Sequence, residues 1–313
     1  MWYSTLKGVI IVYFCLETDN LPKVSYMSRN ITPNQWTHLS RVTDEYVLYI
    51  INSGTLYIKE NECKYELHAG DMLLLEPGYP HEGYKESSCD YYYIHFSKNT
   101  FSTFDCSMFD TIESILLENK RLFYNCDPLS YEPYTQSKLF IPKDLYITDK
   151  AVLDQIDQYM QEALIAFNQQ NEYFKLICSC KLIEILTLLS TYFSEKIFHD
   201  TDSHNAIAGQ MNKTQELLSF LRKSYGEKLT GDLIATHMNM NFDYLNRIFK
   251  KQTGFTIFSY LNTIRINKAK ELLLTGTMKS YEIARCVGFN DEYHFSKAFK
   301  KSVGLTPTQF LHV

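Results

Sequence analysis

Leu233-Ile-Ala-Thr-His-Met-Asn-Met-Asn-Phe-Asp-Tyr-Leu-Asn-Arg-Ile-Phe-Lys-Lys-Gln-Thr-Gly254 decides the fold, because its pattern returns about fifty residues later in the same chain. In the first copy, Ile234-Ala235 is followed by Met238, Met240, Leu245, Ile248, Phe249 and Gly254. In the second, Ile283-Ala284 is followed by Val287, Phe289, Phe295, Phe299 and Gly304. Leu245, Phe249 and Gly254 map onto Phe295, Phe299 and Gly304 at one offset, and the single slip is an extra residue between Ala284 and Phe295. Each copy reads as a short helix, a tight turn and a second helix free to enter a DNA groove. The two helix-turn-helix units span about 231–252 and 280–302.

Ala235 and Ala284 are small enough to let two helices cross closely. The turn then needs a left-handed residue, which Gly288 supplies directly and Asn239 supplies as the next best type. Asn241 and Asn290 are the expected caps of the second helices. With Leu245, Ile248 and Phe249 inward, Asp243, Asn246, Arg247 and Lys250 form one outward stripe at i, i+3, i+4 and i+7. The offset gives Tyr293, Ser296, Lys297 and Lys300 as the second stripe, with His294 beside it. Arg to guanine and Asn to adenine are the favoured base contacts, so Arg247 and Asn246 are expected to specify sequence. Lys250, Lys300 and Lys301 are expected to hold phosphates. Between the units, Ile257 to Leu274 reads as one helix roughly 27 Å long. Neighbouring major-groove segments lie roughly 34 Å apart, so such a spacer suits two adjacent readers.

Charge divides the chain in the same place. The whole sequence carries a net −5, but residues 213–313 hold 15 Lys and Arg against 8 Asp and Glu, while residues 1–212 hold 16 against 28. A basic module on an acidic body brings only the C-terminal part to a polyanion. Eight cysteines are scattered without a CxxC pair or metal-ligand spacing, which reads as reduced, mostly buried thiols of a cytoplasmic protein. The apolar run Gly8–Leu16 is too short to span a bilayer and reads as a strand, so no membrane is expected.

Residues 9–96 are strand-like. Tyr46-Val-Leu-Tyr-Ile-Ile51 is a β-prone run, Ser53-Gly54 reads as a turn, and Thr55-Leu-Tyr-Ile-Lys59 follows. Further strands are expected over Lys64–Leu67, Met72–Leu75 and Tyr91–Phe96, a spacing that argues a sandwich or barrel. Phe109–Leu122 reads as a short helix and Leu139–Ile147 as an extended return to the barrel. Asp149 caps a helix through Phe167; a longer helix, about Glu172–Phe198, carries an apolar stripe from Phe174 to Tyr192. That stripe serves a homodimer or packs on the barrel; both stay open. Asp200–Gln210 is polar and short-sided, and reads as a linker. The expected fold is multidomain α+β: an N-terminal β-barrel over 1–148, a helical coupling or dimerisation segment with its linker over 149–210, and an all-α double helix-turn-helix domain over 211–313.

Leu233-Ile-Ala and Tyr244 through Gly254 resemble the AraC/XylS family of bacterial transcription regulators, as do Tyr260-Leu-Asn-Thr-Ile-Arg-Ile-Asn-Lys-Ala269 and Leu272-Leu. Ile283-Ala, Val287-Gly-Phe-Asn-Asp-Glu-Tyr-His-Phe-Ser-Lys-Ala-Phe-Lys-Lys301 and Gly304-Leu-Thr-Pro307 complete the resemblance. It implies sequence-specific binding of promoter DNA by two recognition helices, usually transcription activation, with RNA polymerase as a further partner. Asn241 stands where the family more often has Ser, a swap between capping residues.

Gly54-Thr-Leu-Tyr-Ile, Gly70-Asp-Met-Leu-Leu-Leu-Glu-Pro-Gly-Tyr-Pro-His81 and Tyr92-Tyr-Ile-His-Phe96 resemble the cupin-like effector domain joined to many such regulators. Residues 41–47 lack the His-x-His of metal-dependent cupins, so neither a metal nor another cofactor is expected, and no catalytic residue is assigned. What remains is a barrel mouth for a small effector, with Trp36, His38, Arg41, Tyr49, His81, Tyr84, Tyr93 and His95 as candidate lining groups. Rings for stacking, with Arg and His heads for hydrogen bonding, suit a sugar or a small carboxylate. The expectation is a homodimeric regulator, not an enzyme. A cupin-type enzyme fused to a DNA-binding tail and an architectural DNA-bending protein are the rivals.

Overall fold

The computed structural model describes residues 2–6, 9–17, 20–101, 112–124, 138–199 and 205–311. The chain divides into two compact units, Met1–Leu116 with Tyr134–Ile197, and Leu117–Pro133 with Phe198–Val313.

The first unit is built on strands. β1 (Trp2–Leu6), β2 (Val9–Glu17) and β10 (Lys138–Pro142) form a three-stranded antiparallel sheet in the order β1-β2-β10. The apolar run near the N-terminus is thus a strand, as its length required. β3 (Val24–Ile31), β4 (Arg41–Val42), β5 (Glu45–Glu60), β6 (Cys63–His68), β7 (Asp71–Leu75), β8 (Pro80–Gly83), β9 (Cys89–Ser97) and β11 (Asp144–Tyr146) form an eight-stranded sheet.

β5 organises that sheet. Its first half pairs with β7 and β9 and its second half with β6 and β8. The expected turn at Ser53-Gly54 is instead a corner inside one continuous strand, with the β9 register shifting between Ile51 and Ser53. Gly54 lies at φ +78°, and a Cβ there would sit 2.2 Å from the Ser88 carbonyl oxygen. Only glycine lets β5 bend there and remain paired. Met72–Leu75 of β7 are all buried, as a strand covered on both faces must be. At the corner between β10 and β11, Lys143 binds the Glu60 carboxylate and, at 3.0 Å, that of Glu76.

The helices α1 (Ile112–Tyr124), α2 (Lys150–Gln169) and α3 (Phe174–His199) follow. The part of the first expected helix before Ile112 lies outside the described residues. Asp149 caps α2, its carboxylate accepting the Ala151 N–H at 2.8 Å. On α3 most of the expected apolar stripe is buried within the chain, at Cys178, Leu182, Ile185, Leu186 and Leu189, while Ile177 is exposed. Helix hydroxyls also fasten strand edges, Ser179 accepting the Val24 N–H and Ser190 the Phe140 N–H, each at 3.0 Å. α3 is long and apolar enough to cross a membrane by length and composition alone. This packing supplies another reason for that composition. Cys15, Cys89 and Cys178 are buried thiols, whereas Cys63, Cys180 and Cys286 are exposed, contrary to a mostly buried set. Cys106 and Cys126 lie outside the described residues.

The second unit contains α4 (Asn205–Ser224), α5 (Gly231–Met238), α6 (Phe242–Thr253), α7 (Ile257–Thr275), α8 (Ser280–Cys286), α9 (Glu292–Val303) and α10 (Pro307–Phe310). The linker reading fails over residues 205–210, which already belong to α4, and residues 200–204 lie outside the described ones. Ala206, Ile207, Ala208 and Gln210 tolerate a helix well enough to outweigh Gly209. Two cores flank α7. Leu217, Leu221, Ile234, Leu245 and Phe249 pack with its first half, through Ile257, Tyr260 and Leu261. Ile283, Val287, Phe295 and Phe299 pack with its second half, through Ile266, Ala269 and Leu273. Between the cores, the Arg265 guanidinium donates to the carbonyl oxygens of Tyr225 and Glu227, both at 2.8 Å.

Candidate functional site

The recognition helices are α6 and α9, and the same backbone device sets each one. In the first unit Asn239 takes φ +50°, and the Met240 N–H reaches the Ala235 carbonyl at 3.0 Å. In the second, Gly288 takes φ +87°, and the Phe289 N–H reaches the Ala284 carbonyl at 2.9 Å. Asn241 caps α6, its side-chain oxygen accepting the Asp243 and Tyr244 N–H groups at 3.0 and 3.2 Å. The expected cap Asn290 is displaced by Asp291, whose carboxylate accepts the His294 N–H at 2.8 Å. The residue inserted between Ala284 and Phe295 moves the helix start along by one.

The outward face is largely as the stripe required. Asp243, Arg247 and Lys250 are exposed on α6, as are Tyr293, His294, Lys297 and Lys300 on α9. Arg247, Lys250, Lys297 and Lys300 have no carboxylate partner among the described residues, whereas Lys213 and Lys268 of the same unit are paired with glutamates. The Arg247 guanidinium lies 5.3 Å over the Tyr244 ring. Tyr244 was missed from sequence, although an aromatic three residues before an arginine on an exposed helix face is the spacing for this contact.

Asn246 is placed differently from the expectation. It is half-buried, and its Oδ1 accepts the Ile257 N–H at 2.9 Å, satisfying the first amide of α7. A bidentate adenine contact needs that oxygen. The fifty-residue offset turns Asn246 and Ile257 into Ser296 and Pro307. Proline has no N–H to satisfy, so a half-buried serine suffices in the second unit.

In the first unit of the molecule, strand register settles what sequence alone left open. Tyr49 pairs with Tyr93 and Ile51 with Tyr91 across β5 and β9, while Ser28 and Asn30 of β3 face Tyr93 and Tyr91. A cavity of about 180 Å³ lies against this face. Trp36, His38, Arg41, Tyr49, His81, Tyr93 and His95 line it together with Asn30, Leu39 and Tyr91, which sequence reasoning missed. Period-two alternation back from Tyr93 finds Tyr91, but aromatics on both faces of β9 hide that signal. Tyr84 lies elsewhere: past the end of β8, its ring is 5.6 Å from that of Tyr57, with the Lys64 ammonium 5.0 Å over it.

Inside the cavity His38 Nδ1 donates to the Leu39 carbonyl at 2.7 Å. Its Nε2 therefore accepts the Tyr49 hydroxyl at 3.0 Å. Burial pulls His38 down to about 4, and also lowers His81 and His95, the last opposed by Glu45 at 3.3 Å. Burial raises Tyr49 and pushes Tyr93 up to about 12. The imidazoles and phenols are thus neutral near pH 7, and Arg41 is the charged side chain of the lining. Among the described residues, no group of three or more His, Cys, Asp and Glu side chains is arranged to hold a metal ion.

A β-rich unit enclosing a small polar cavity, with a doubled helix-turn-helix beside it in sequence, defines a ligand-binding domain joined to a DNA-binding domain. Residues 29–104 match the AraC-like ligand binding domain, and residues 234–312 match a helix-turn-helix domain. The chain thus carries an AraC-like ligand-binding domain and a helix-turn-helix domain, and its relatives are transcription regulators of the AraC family. It is 27% identical to the uncharacterized HTH-type transcriptional regulator YisR of Bacillus subtilis, over 88% of each chain. It is 22% identical to the arabinose operon regulatory protein of Salmonella typhimurium, over 85% of this chain and 83% of that one. Among solved structures, the C-terminal domain of the two-component response regulator yesN from Fusobacterium nucleatum is 36% identical, over 32% of this chain and 98% of that one, with a TM-score of 0.31.

Proposed function

We propose that this chain is a cytoplasmic, homodimeric, one-component transcription activator whose cavity binds a small effector and whose recognition helices read two neighbouring major-groove segments of a promoter. The observation that carries the DNA half is the repetition, at equivalent positions of α6 and α9, of cations without carboxylate partners among the described residues. Arg247, stacked on Tyr244, reads a base; Lys250, Lys297 and Lys300 hold phosphates; Asp243, Tyr293, His294 and Ser296 complete the two faces. α7 has 19 residues and so spans about 28 Å, which brings two readers near the groove repeat with modest bending of the duplex.

The effector half rests on the cavity's make-up: stacked rings, hydrogen-bonding heads and one cation suit a sugar or a small carboxylate. The similarity to an arabinose operon regulatory protein supports that class. Trp36, His38, Arg41, Tyr49, Tyr91, Tyr93 and His95 are the residues assigned to it, and no catalytic step is assigned to any of them. The exposed residues Leu176, Ile177 and Cys180 of α3 offer the homodimer a surface that the chain's own core leaves free. RNA polymerase is the further partner. An effector must prefer one arrangement of the domains, since equal affinity for both would shift nothing.

The test is operator selection with the full chain from a random duplex pool, repeated with candidate effectors. Enrichment of a bipartite site with half-sites about one helical turn apart is expected. Uniform recovery of all sequences rejects the reading.

A further inference from the structure

The cavity's uncommitted polar atoms define what its occupant has to bring. His81 is 2% exposed; the Tyr79 backbone acts on its ring, but its Nδ1 completes no hydrogen bond among the described residues, a state that buried polar atoms rarely keep. The Tyr91 oxygen accepts the Asn30 amide at 2.9 Å, which leaves its own proton uncommitted. Tyr49 spends its proton on His38 and keeps its oxygen lone pairs. At the mouth, exposed Arg41 on β4 stands opposite His81 on β8 and has no carboxylate partner among the described residues. Glu45 is turned to His95. The cavity of about 180 Å³ has room for a small ligand of one ring.

We propose that the cavity selects a monosaccharide-sized hydroxy acid, a uronic or aldonic acid, whose carboxylate pairs with Arg41 and whose hydroxyls meet His81 Nδ1, the Tyr91 proton and the Tyr49 oxygen. This rests on the reading of the cavity as the effector site and goes further by fixing the ligand's charge and polarity. Hydroxyls both donate and accept, which matches one donor, one acceptor and one imidazole nitrogen around a small space. An aromatic acid satisfies Arg41 but brings no hydroxyl to the other three. A neutral sugar satisfies those three and forgoes the charge-assisted pair. Arg41 carries that preference alone, because burial keeps the three lining histidines neutral near pH 7.

Calorimetric titration of the full chain tests this, using galacturonate, glucuronate, gluconate and arabinonate beside galactose, glucose and arabinose, with benzoate as the aromatic acid. One of the hydroxy acids is expected to bind about tenfold or more tightly than its neutral counterpart and than benzoate. Arg41→Gln, a change at an exposed position, is expected to bring acid and neutral sugar within about threefold. His81→Gln is expected to weaken both, with the melting curve reporting whether that variant folds. A neutral sugar or benzoate binding as tightly as every acid overturns the inference and leaves the effector reading standing. No binding by any compound of the set, together with no change in operator affinity, overturns both.

Discussion

In the first helix-turn-helix unit the left-handed turn residue is Asn239 and the recognition helix is capped by Asn241; in the second the same places fall to Gly288 and Asp291. The difference at the turn follows from crowding. A Cβ on Gly288 would lie 2.5 Å from the Tyr225 carbonyl oxygen and 2.8 Å from the Arg265 guanidinium, so glycine is required for space as well as for φ. At the reading surface, Arg247 of the first unit corresponds to Lys297 of the second. A planar fork that recognises two acceptors at once has become a point charge on a flexible stem. The comparison teaches that one backbone plan presents different donors at equivalent positions, a fork in the first unit and a point charge in the second.

The sharpest break is at the turn. Gly288→Ala is expected to destabilise the second unit by about 3 kcal/mol, combining backbone strain with the clash, whereas Asn239→Gly shifts stability by less than about 1 kcal/mol. Chemical denaturation of both variants measures the contrast, and equal effects erase the distinction. Next in size, Arg247→Ala should cost about 1–3 kcal/mol at one base pair and relax preference there. Lys297→Ala should weaken all sequences alike and lower the salt slope by about 1. Competition binding over operator variants at several salt concentrations separates the two. Loss of base preference in the lysine variant would assign discrimination to both units.

Asn246→Ala probes the connection between the first recognition helix and α7. It should cost about 1 kcal/mol through the stranded Ile257 amide while leaving base preference intact; Ser296→Ala, facing Pro307, should be close to neutral. Thermal melts with operator selection read both effects. The smallest effect concerns the caps in acid. The His294 amide, together with the His294 ring, holds the Asp291 carboxyl below its ordinary range. A depressed folded value means the cap's contribution is complete above the ordinary aspartate pKa and is lost as pH falls through the lowered one. Below about pH 4, amide exchange at the start of α9 should therefore rise before that of α6, whose asparagine cap does not titrate. Asp291→Asn should abolish the difference.

The C-terminal unit was readable from sequence because its signals are local: helical spacing, a cap, a left-handed turn residue, and a second copy against which to check them. Its two misplacements are instructive. Asn290 and Asp291 are both good caps, and the inserted residue decides between them only through the helix register. The partner of Asn246 lies eleven residues on, in another helix, where no local pattern points to it. In the β unit the strands were readable but their faces were not. β9 carries Tyr91, Tyr92 and Tyr93 in a row, so alternation has no contrast to work with, and Asn30, Leu39 and Tyr91 went unnoticed as cavity walls. Ser53-Gly54 has turn chemistry, but what bends there is one strand held on both sides by neighbours distant in sequence. Tyr84 suited the cavity by residue type and was excluded by position, just past the end of its strand.

Arg265 leaves one more consequence. Placed between two hydrophobic cores, it holds two carbonyls of the segment after α4, and these bonds oppose swivelling of the two helix-turn-helix units about α7. Adding a single base pair between the half-sites would turn the far groove by roughly 34°. On the proposed reading, a protein side held in this way would pass that rotation to the duplex as twist and make binding sensitive to helical phase.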